Sequence, residues 1–460
     1  MTATLCSSWR APEWNVPEVG HGTKLVGGMA EPFAKGLPEF SECRDAARRS
    51  WGCAPDSLQR GRGVTALCAG VVAAVVAFAV YTYVGYPLLL LTLVAFRRRR
   101  PAAPPLSEWP SITILLPAHN EEAVIRGTLD NLLQLDYPAD RRRILVLSDA
   151  STDRTDAIVA EYAGRGVELV RMPQRGGKTA AENAVLPLLD GRIVVNTDAS
   201  AHVERGALKA LIACFADPTV GVASSHNISV ARIEQHANYA ESWYVGYDMW
   251  VRGLETQFLG IVGAAGCLYA ARSSTQLHVL PDGLSRDFAA PLLAREQGLR
   301  AVSVQDARCF VPRSPSLRRE YRRKVRTITR GIQTLYFKRG LLNPLGYGAF
   351  SWILASHKIC RWLIPHLSVV ALAVLAYLVP NAPAARWAVA TALLVGLCAV
   401  LAWWWPDRWR VPKLIAVPAY LVIGNLAALH ASLRAFAGGL DAIWEPTRRD
   451  VVRPLTNLGS

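Results

Sequence analysis

The sequence predicts an α/β domain with a mixed, mostly parallel sheet and transmembrane α-helices on both sides of it. Three observations carry this. Short apolar strands alternate with helical segments between Ile112 and Val304, the order that gives a parallel sheet covered on both faces. Three of the strands run out into acid-bearing ends: Ile112 to Leu116 into Pro117, His119, Asn120 and Glu121; Ile144 to Leu147 into Asp149, Ser151 and Asp153; Ile193 to Val195 into Asp198. Open α/β sheets present ligand groups at the carboxyl ends of their strands. Finally, apolar runs long enough to cross a bilayer stand before and after this segment. A lone Asp or Asn after a strand reads as a turn former or helix cap, and Asp153 and Thr155 fit that role. Three acidic ends in parallel order read instead as a site anchored on Asp198.

Taken in order, residues 1–62 have scattered Gly, Pro and charge without a sustained period, and they predict a disordered extension. Val64 to Phe96 carries no charged side chain. It exceeds the roughly 20 residues a helix needs to cross a bilayer and starts too far from Met1 for a secretory signal. Within it Tyr81, Tyr83, Gly85, Tyr86 and Pro87 mark an expected kink. Arg97 to Arg100 should stay cytoplasmic, which places the following domain there too.

Pro101 to Pro110 reads as a linker, and the domain is expected over 109–335. Its helices are expected at Val124 to Leu135, Asp156 to Tyr162, Thr179 to Leu189, Gly206 to Phe215 and Tyr239 to Leu259. Its further strands are expected at Val167 to Val170, Val220 to Ser224 and Ala301 to Val304. The Tyr239 to Leu259 helix carries Trp243, Tyr244, Tyr247, Trp250 and Phe258, as interfacial anchors or as flat faces able to stack a ring. Gly260 to Arg272 has glycines too sparse for a phosphate loop and reads as a close-packed strand–turn pair near a ligand. Asp287 opens a helix that Gly298 closes. Leu317 to Leu335 is a basic amphipathic helix, able to hold a diphosphate or lie on a membrane surface.

Leu341 to Trp352, interrupted by Pro344 and glycines, is expected in the interface. Spans are expected at Leu363 to Leu378, Trp387 to Trp405 and Leu414 to Leu433, with Trp403 to Trp405 as an aromatic belt. Three crossings from the cytoplasm put the tail, 437–460, outside, whereas its Arg448, Arg449 and Arg453 favour the inside.

The net charge of +15 does not point to nucleic acid. The arginine clusters, Arg97 to Arg100, Arg318 to Arg326, and Arg448 with Arg449, sit beside apolar spans, where anionic lipid headgroups are the fitting partner. The nine cysteines form no Cys-x-x-Cys pair, so neither a zinc site nor a disulfide framework is expected.

From Ile112 to Ile332 the chain resembles the membrane-embedded glycosyltransferases of family 2, the group of cellulose, hyaluronan and chitin-type synthases. The resemblance rests on PAHNEE at 117–122, SDASTDRT at 148–155, RGGKTAAEN at 175–183, NTDAS at 196–200, RDF at 286–288 and RRKVRTITRG at 322–331. It implies a GT-A nucleotide-sugar-binding fold in which Glu121 and Asp149 contact the nucleotide and Lys178 the nucleotide or its phosphates. Asp198 would help hold a divalent cation, Mg2+ or Mn2+, bridging the donor diphosphate, and Asp287 would be the general base. The chemistry asks for such groups: a departing nucleoside diphosphate gathers negative charge that a hard cation stabilises, and the attacking hydroxyl must lose its proton. Arg323, Arg326 and Arg330 could share the diphosphate charge or meet the acceptor.

The chain departs from the family pattern in three places. The usual Asp-x-Asp is Asp198-Ala199-Ser200, which leaves Ser200 as a weak second metal ligand. Arg286 replaces the acid that usually precedes the base. Arg323 to Thr327 lacks the tryptophan of processive synthases. The expected function is transfer from a nucleotide sugar, a UDP-sugar first, to a growing β-linked poly- or oligosaccharide by a multi-pass inner-membrane enzyme with a cytoplasmic domain. Its rivals are single transfer to a polyprenyl-phosphate or glycolipid, which the missing tryptophan favours, and an inactive membrane scaffold, against which Asp149, Lys178, Asp198 and Asp287 argue.

Overall fold

The computed structural model describes residues 55–97, 104–230, 239–312, 317–406 and 411–438. The expected disordered extension lies outside these except for a helix that begins at Pro55. Arg98 to Arg100, the linker residues 101–103, the Trp243 side chain and the tail arginines also lie outside them.

Eight strands form one mixed sheet: β1 Ile112–Ala118, β2 Arg142–Ser148, β3 Val167–Arg171, β4 Ile193–Thr197, β5 His202–Val203, β6 Val220–Val230, β7 Leu268–Arg272 and β8 Arg300–Pro312. Their order is β3-β2-β1-β4-β7-β6-β8-β5. The half from β3 to β4 is parallel, while β7 runs antiparallel to both its neighbours. Strand periodicity explains the burial of both faces. Ile112, Ile114, Leu116, Ile144, Val146, Ile193 and Val195 point into one core, and Leu115, Leu145, Leu147 and Val194 into another on the opposite face. In register, Ile112 lies opposite both Arg142 and Ile193, so β1, β2 and β4 end at one edge.

The sheet corrects two expectations. The strand–turn pair over 260–272 is a loop followed by the single strand β7, because the glycine-rich half wraps the site instead of pairing. The helix expected to Leu189 stops at Ala184, ahead of a short 3-10 turn at Leu186–Leu188 whose first turn contains Pro187.

The helices are α1 Pro55–Val80, α2 Tyr86–Phe96, α3 Ile125–Leu133, α4 Thr155–Ala160, α5 Lys178–Ala184, α6 Ala207–Ala213, α7 Tyr239–Phe258, α8 Ser273–Gln276, α9 Arg286–Glu296, α10 Leu317–Phe337, α11 Pro344–Tyr347, α12 Ala349–Leu354, α13 Cys360–Leu378, α14 Pro383–Trp403 and α15 Lys413–Phe436. Among the described residues four helical runs are long and apolar enough to cross a membrane: Gly63–Phe96, Ala349–Leu378, Pro383–Trp403 and Lys413–Phe436. The kink expected near Tyr81 is a π-helical turn, Tyr81–Gly85, between α1 and α2. The second run starts at Ala349, well before the expected Leu363, and passes through another π turn at Ala355–Ile359. Ser356, His357, Lys358 and Arg361 interrupt its apolar sequence, which hid the continuity.

His357 and Arg361 are absorbed by α7. Glu255 Oε1 accepts from the Tyr86 hydroxyl at 2.6 Å and meets His357 Nδ1 at 2.5 Å. His357 Nε2 lies 3.1 Å from Asp248 Oδ1, which also takes Arg361 Nη1 at 2.7 Å, while Asp248 Oδ2 takes Arg252 Nε at 2.9 Å. Burial alone would raise the Asp248 carboxyl, but Arg252, His357 and Arg361 outweigh it and hold it well below the usual carboxylate range. The two π turns meet directly, through Tyr81 Oη and Ser356 Oγ at 2.8 Å. Buried ionisable groups persist when paired. Glu255→Ala strips acceptors from two buried partners and is expected to destabilise the protein by about 3–5 kcal/mol. A thermal melt in detergent reads this as a clear drop in Tm, and an unmoved midpoint would contradict it.

Candidate active site

Because β1, β2 and β4 are adjacent and parallel, the residues that follow them are brought to one edge of the sheet. Asn120 and Ala150, just beyond β1 and β2, have φ of 53° and 52°. An alanine in the left-handed region costs about 1–2 kcal/mol, and such strain collects at functional sites. The two strand ends are latched together: Thr152 N–H donates to Asn120 Oδ1 at 2.8 Å, Glu121 N–H to Thr155 Oγ1 at 2.9 Å, and Glu122 N–H to Asp153 Oδ2 at 3.1 Å. Asp153 also accepts from Thr155 N–H at 2.9 Å, although the N-cap position of α4 is Arg154 and not the expected Asp153 or Thr155.

Asp149 is buried, and its two carboxylate oxygens accept the Gly176 and Gly177 N–H groups, each at 2.8 Å. Gly177, at φ 90°, makes a turn that a side chain would strain. Lys178 then opens α5, and its ammonium lies 2.7 Å from Asp198 Oδ1 beyond β4. Burial would lower this ammonium's pKa, but the Asp198, Glu182 and Asp287 carboxylates outweigh it and hold it above the ordinary lysine value.

Asp287 stands in the first turn of α9, where Phe288 N–H donates to its Oδ1 at 2.9 Å and the Ser285 hydroxyl also donates to it. The 260–267 loop closes over it: Ala264 N–H donates to the Asp287 carbonyl at 3.1 Å. A Cβ at Gly266 would meet Asp287 Oδ2 at 2.6 Å, so only glycine leaves the carboxylate its place. Gly266→Ala should therefore push that group aside. Displacements near 1 Å can cost about 10²-fold in rate. We expect a loss of that order in kcat with little change in Tm, measured on the purified variant, and full activity would contradict it.

The structure thus brings together Asp149, Lys178, Asp198 and Asp287, with half-buried Glu121 at the latched end of β1 and Ser200 just past Asp198. The expected arginines are spread along α10. Arg330 is buried and donates to Gly283 O at 3.1 Å, Leu284 O at 2.5 Å and Thr179 Oγ1 at 2.9 Å, holding the approach to α9 against α5. Arg323 forks onto Glu320 at 2.8 and 2.7 Å. Arg326 lies half-buried between them on the same helix.

Two residues here were missed by sequence reading. Glu182 is fully buried one turn after Lys178, and Tyr269, on β7 opposite Asn196, is fully buried amid Glu182, Arg286, Asp287 and Asp198. Burial beside these groups pushes the Tyr269 phenol well up. Glu182 reads in sequence as one more helix acid, and only the i, i+4 spacing from Lys178 hinted at a shared face.

Among the described residues no cluster of three or more His, Cys, Asp or Glu side chains is arranged to hold a metal ion. Asp198 offers one carboxylate, with Ser200 two positions on. This donor set fits a hard cation that arrives with a diphosphate, since Mg2+ commonly takes one or two carboxylates and completes its shell with phosphate oxygens and water.

The family model for glycosyl transferase family 2 matches residues 113–265. The chain is 38% identical over 118 residues to the beta-monoglucosyldiacylglycerol synthase of Synechocystis sp., covering 25% of this chain and 24% of that protein. It is 30% identical over 146 residues to cellulose synthase 2 of Novacetimonas hansenii, covering 30% of this chain and 9% of that protein. The matched segment therefore spans a quarter or less of either relative. Among solved structures, the mannosyltransferase PcManGT of Pyrobaculum calidifontis, in complex with GDP-Man and Mn2+, superposes with a TM-score of 0.60 over 80% of this chain and 99% of its own, at 24% identity. The shared sheet and the family match agree: residues 113–265 match family 2 glycosyl transferases, the domain has the GT-A fold, and it is joined to four helices of membrane-spanning length.

Proposed function

We propose that the protein is an inverting glycosyltransferase of the inner membrane, taking a sugar from a nucleotide sugar, a UDP-sugar first, to a hydroxyl on a lipid-borne acceptor. The observation that carries this reading is the convergence of Lys178, Asp198 and Asp287 one residue from Phe288. That ring belongs to the buried apolar cluster that holds Tyr86, Leu90, Phe350, Ile353 and Leu354, shared with the membrane-length helices. A base so close to the membrane junction suits an acceptor delivered from the bilayer. Arg97 to Arg100, after the first span, favour a cytoplasmic domain on a multi-pass protein.

In this reading Glu121 and Asp149 frame the nucleotide end of the donor, and Asp149 also fixes the Gly176–Gly177 turn that aims Lys178. The Lys178 ammonium supports the diphosphate, and Arg323 and Arg326 stand along α10 as further cations for diphosphate or acceptor. Arg330 orders the segment leading to α9. Mg2+ or Mn2+, when bound beside Asp198 and Ser200, would neutralise charge on the leaving diphosphate. Asp287 takes the acceptor proton as the hydroxyl attacks. Direct displacement turns an α-linked donor into a β-linked product. The name of the Synechocystis relative, a synthase of a glucosyldiacylglycerol, supports a lipid acceptor.

Chain elongation is the second reading, supported by three membrane-length helices after the domain and by the cellulose synthase relative. Against it stands Thr327, where an aromatic acceptor platform would be needed. Membranes carrying the protein, incubated with labelled UDP- and GDP-sugars and Mn2+, separate the readings. Label extracted with lipid is the expected result, and label in high-mass, glycosidase-sensitive material would replace it with elongation. No incorporation from any donor would overturn the enzymatic reading in favour of a scaffold.

A further inference from the structure

Behind Asp287 lies a buried ion pair that the chemistry described so far does not use. Arg286 is 3% exposed and Glu182 is 0% exposed. The guanidinium reaches across from α9: Nε lies 3.3 Å from Glu182 Oε2, Nη2 donates to Asn183 Oδ1 at 2.5 Å, and Nη1 donates to the carbonyls of Gln276 at 3.0 Å and His278 at 3.1 Å. One side chain thus joins α9 to α5 and to the end of α8. The two helices it joins are the ones that begin with the working groups, Asp287 on α9 and Lys178 on α5.

We infer that Glu182 and Arg286 are positioning residues that fix the distance between the diphosphate cation Lys178 and the base Asp287. The inference rests on Asp287 being the base. Charge and geometry both support it. Glu182 lies four residues after Lys178 on one helix face, so a pull on Glu182 turns or shifts the helix end that aims the lysine. Arg286 is the residue next to Asp287, so the same pull acts on the base from the other side. Without Glu182, Arg286 would place an uncompensated buried cation next to the base. Burial raises the Glu182 carboxyl, against the opposing pull of Lys178 and Arg286.

The pair is also poor as a device for stability alone. Buried ion pairs are often replaced by packed apolar side chains at no loss of stability. Here, moreover, neither Glu182 oxygen nor Arg286 Nε has a hydrogen-bond partner. The approach of 3.3 Å is an ion pair without hydrogen-bond geometry, and such contacts at active sites can tighten when substrate binds.

The test uses the full-length protein with four variants: Glu182→Gln, Arg286→Gln, the double Glu182→Met/Arg286→Met, and Asp287→Asn. The double apolar variant guards against failure to fold, because it removes both charges together. Each is read by kcat, donor KM, UDP binding and Tm. The single variants are expected to lose about 10–10²-fold in kcat, as misplaced catalytic groups do, with donor KM changed less than about threefold. The double variant is expected to keep the parent Tm yet lose about tenfold or more in kcat, and to lose no more than the worse single variant, since all break one link. A folded double variant with parent kcat would overturn the inference, as would loss expressed in KM alone. Asp287→Asn separates the two levels. If it turns over normally, the base assignment fails and takes this inference with it. If it is inactive while the pair variants match the parent, only the pair's role falls.

Discussion

Asp287→Asn is expected to lower kcat by about 10²–10⁴-fold, the range that general-base removal produces, while UDP still binds. Asp287 is held by its own helix start, through Ser285 and Phe288 N–H, and by the Gly266 clearance. Asparagine nearly matches the carboxylate in shape, so helix, loop and clearance should survive. The amide lacks the basicity needed to take a proton from the acceptor hydroxyl. Because the base acts after the donor is seated, UDP affinity by calorimetry should stay within about threefold of the parent. A variant with parent turnover would remove Asp287 from the chemistry.

Asp198→Asn is expected to act on donor binding and on turnover together. Asp198 is both the partner of the Lys178 ammonium at 2.7 Å and the carboxylate best placed to meet a cation arriving with the diphosphate. In the proposed role its loss removes a metal ligand, and it frees Lys178 to turn toward Glu182 and Asp287, which already act on it. We expect kcat/KM to fall by about 10²–10³-fold, comparable to loss of one electrostatic stabiliser, with a raised donor KM and a higher Mn2+ concentration for half-maximal rate. If only kcat falls and the metal titration is unchanged, Asp198 serves to place Lys178 and is not a metal ligand.

Much of this was legible in the sequence. The parallel half of the sheet followed from strand–helix alternation, and the acidic ends of β1, β2 and β4 meet at one edge as their parallel register requires. The tyrosine–glycine–proline cluster marked the first π turn. What was not legible depends on contacts between residues far apart in the chain. Glu182 and Arg286 are 104 positions apart by subtraction of their numbers, so each reads alone as a helix charge, and Arg286 looks like a defect in the motif. The polar residues of 356–361 look like a break in an apolar span until α7 supplies Asp248 and Glu255. Asp149, expected on the nucleotide, also accepts two glycine amides. Backbone donors of that kind carry no sequence signal.

Inversion requires the base to lie across the anomeric carbon from the leaving diphosphate. The most direct measurement is the anomeric configuration of the product, by NMR of material made from an α-linked nucleotide sugar. The structure-based reading requires a β-linkage, formed in a single displacement with Asp287 receiving the proton. An α-linked product would contradict it, because retention demands a second displacement or attack from the leaving-group face, and Asp287 would then have no part in activating the acceptor.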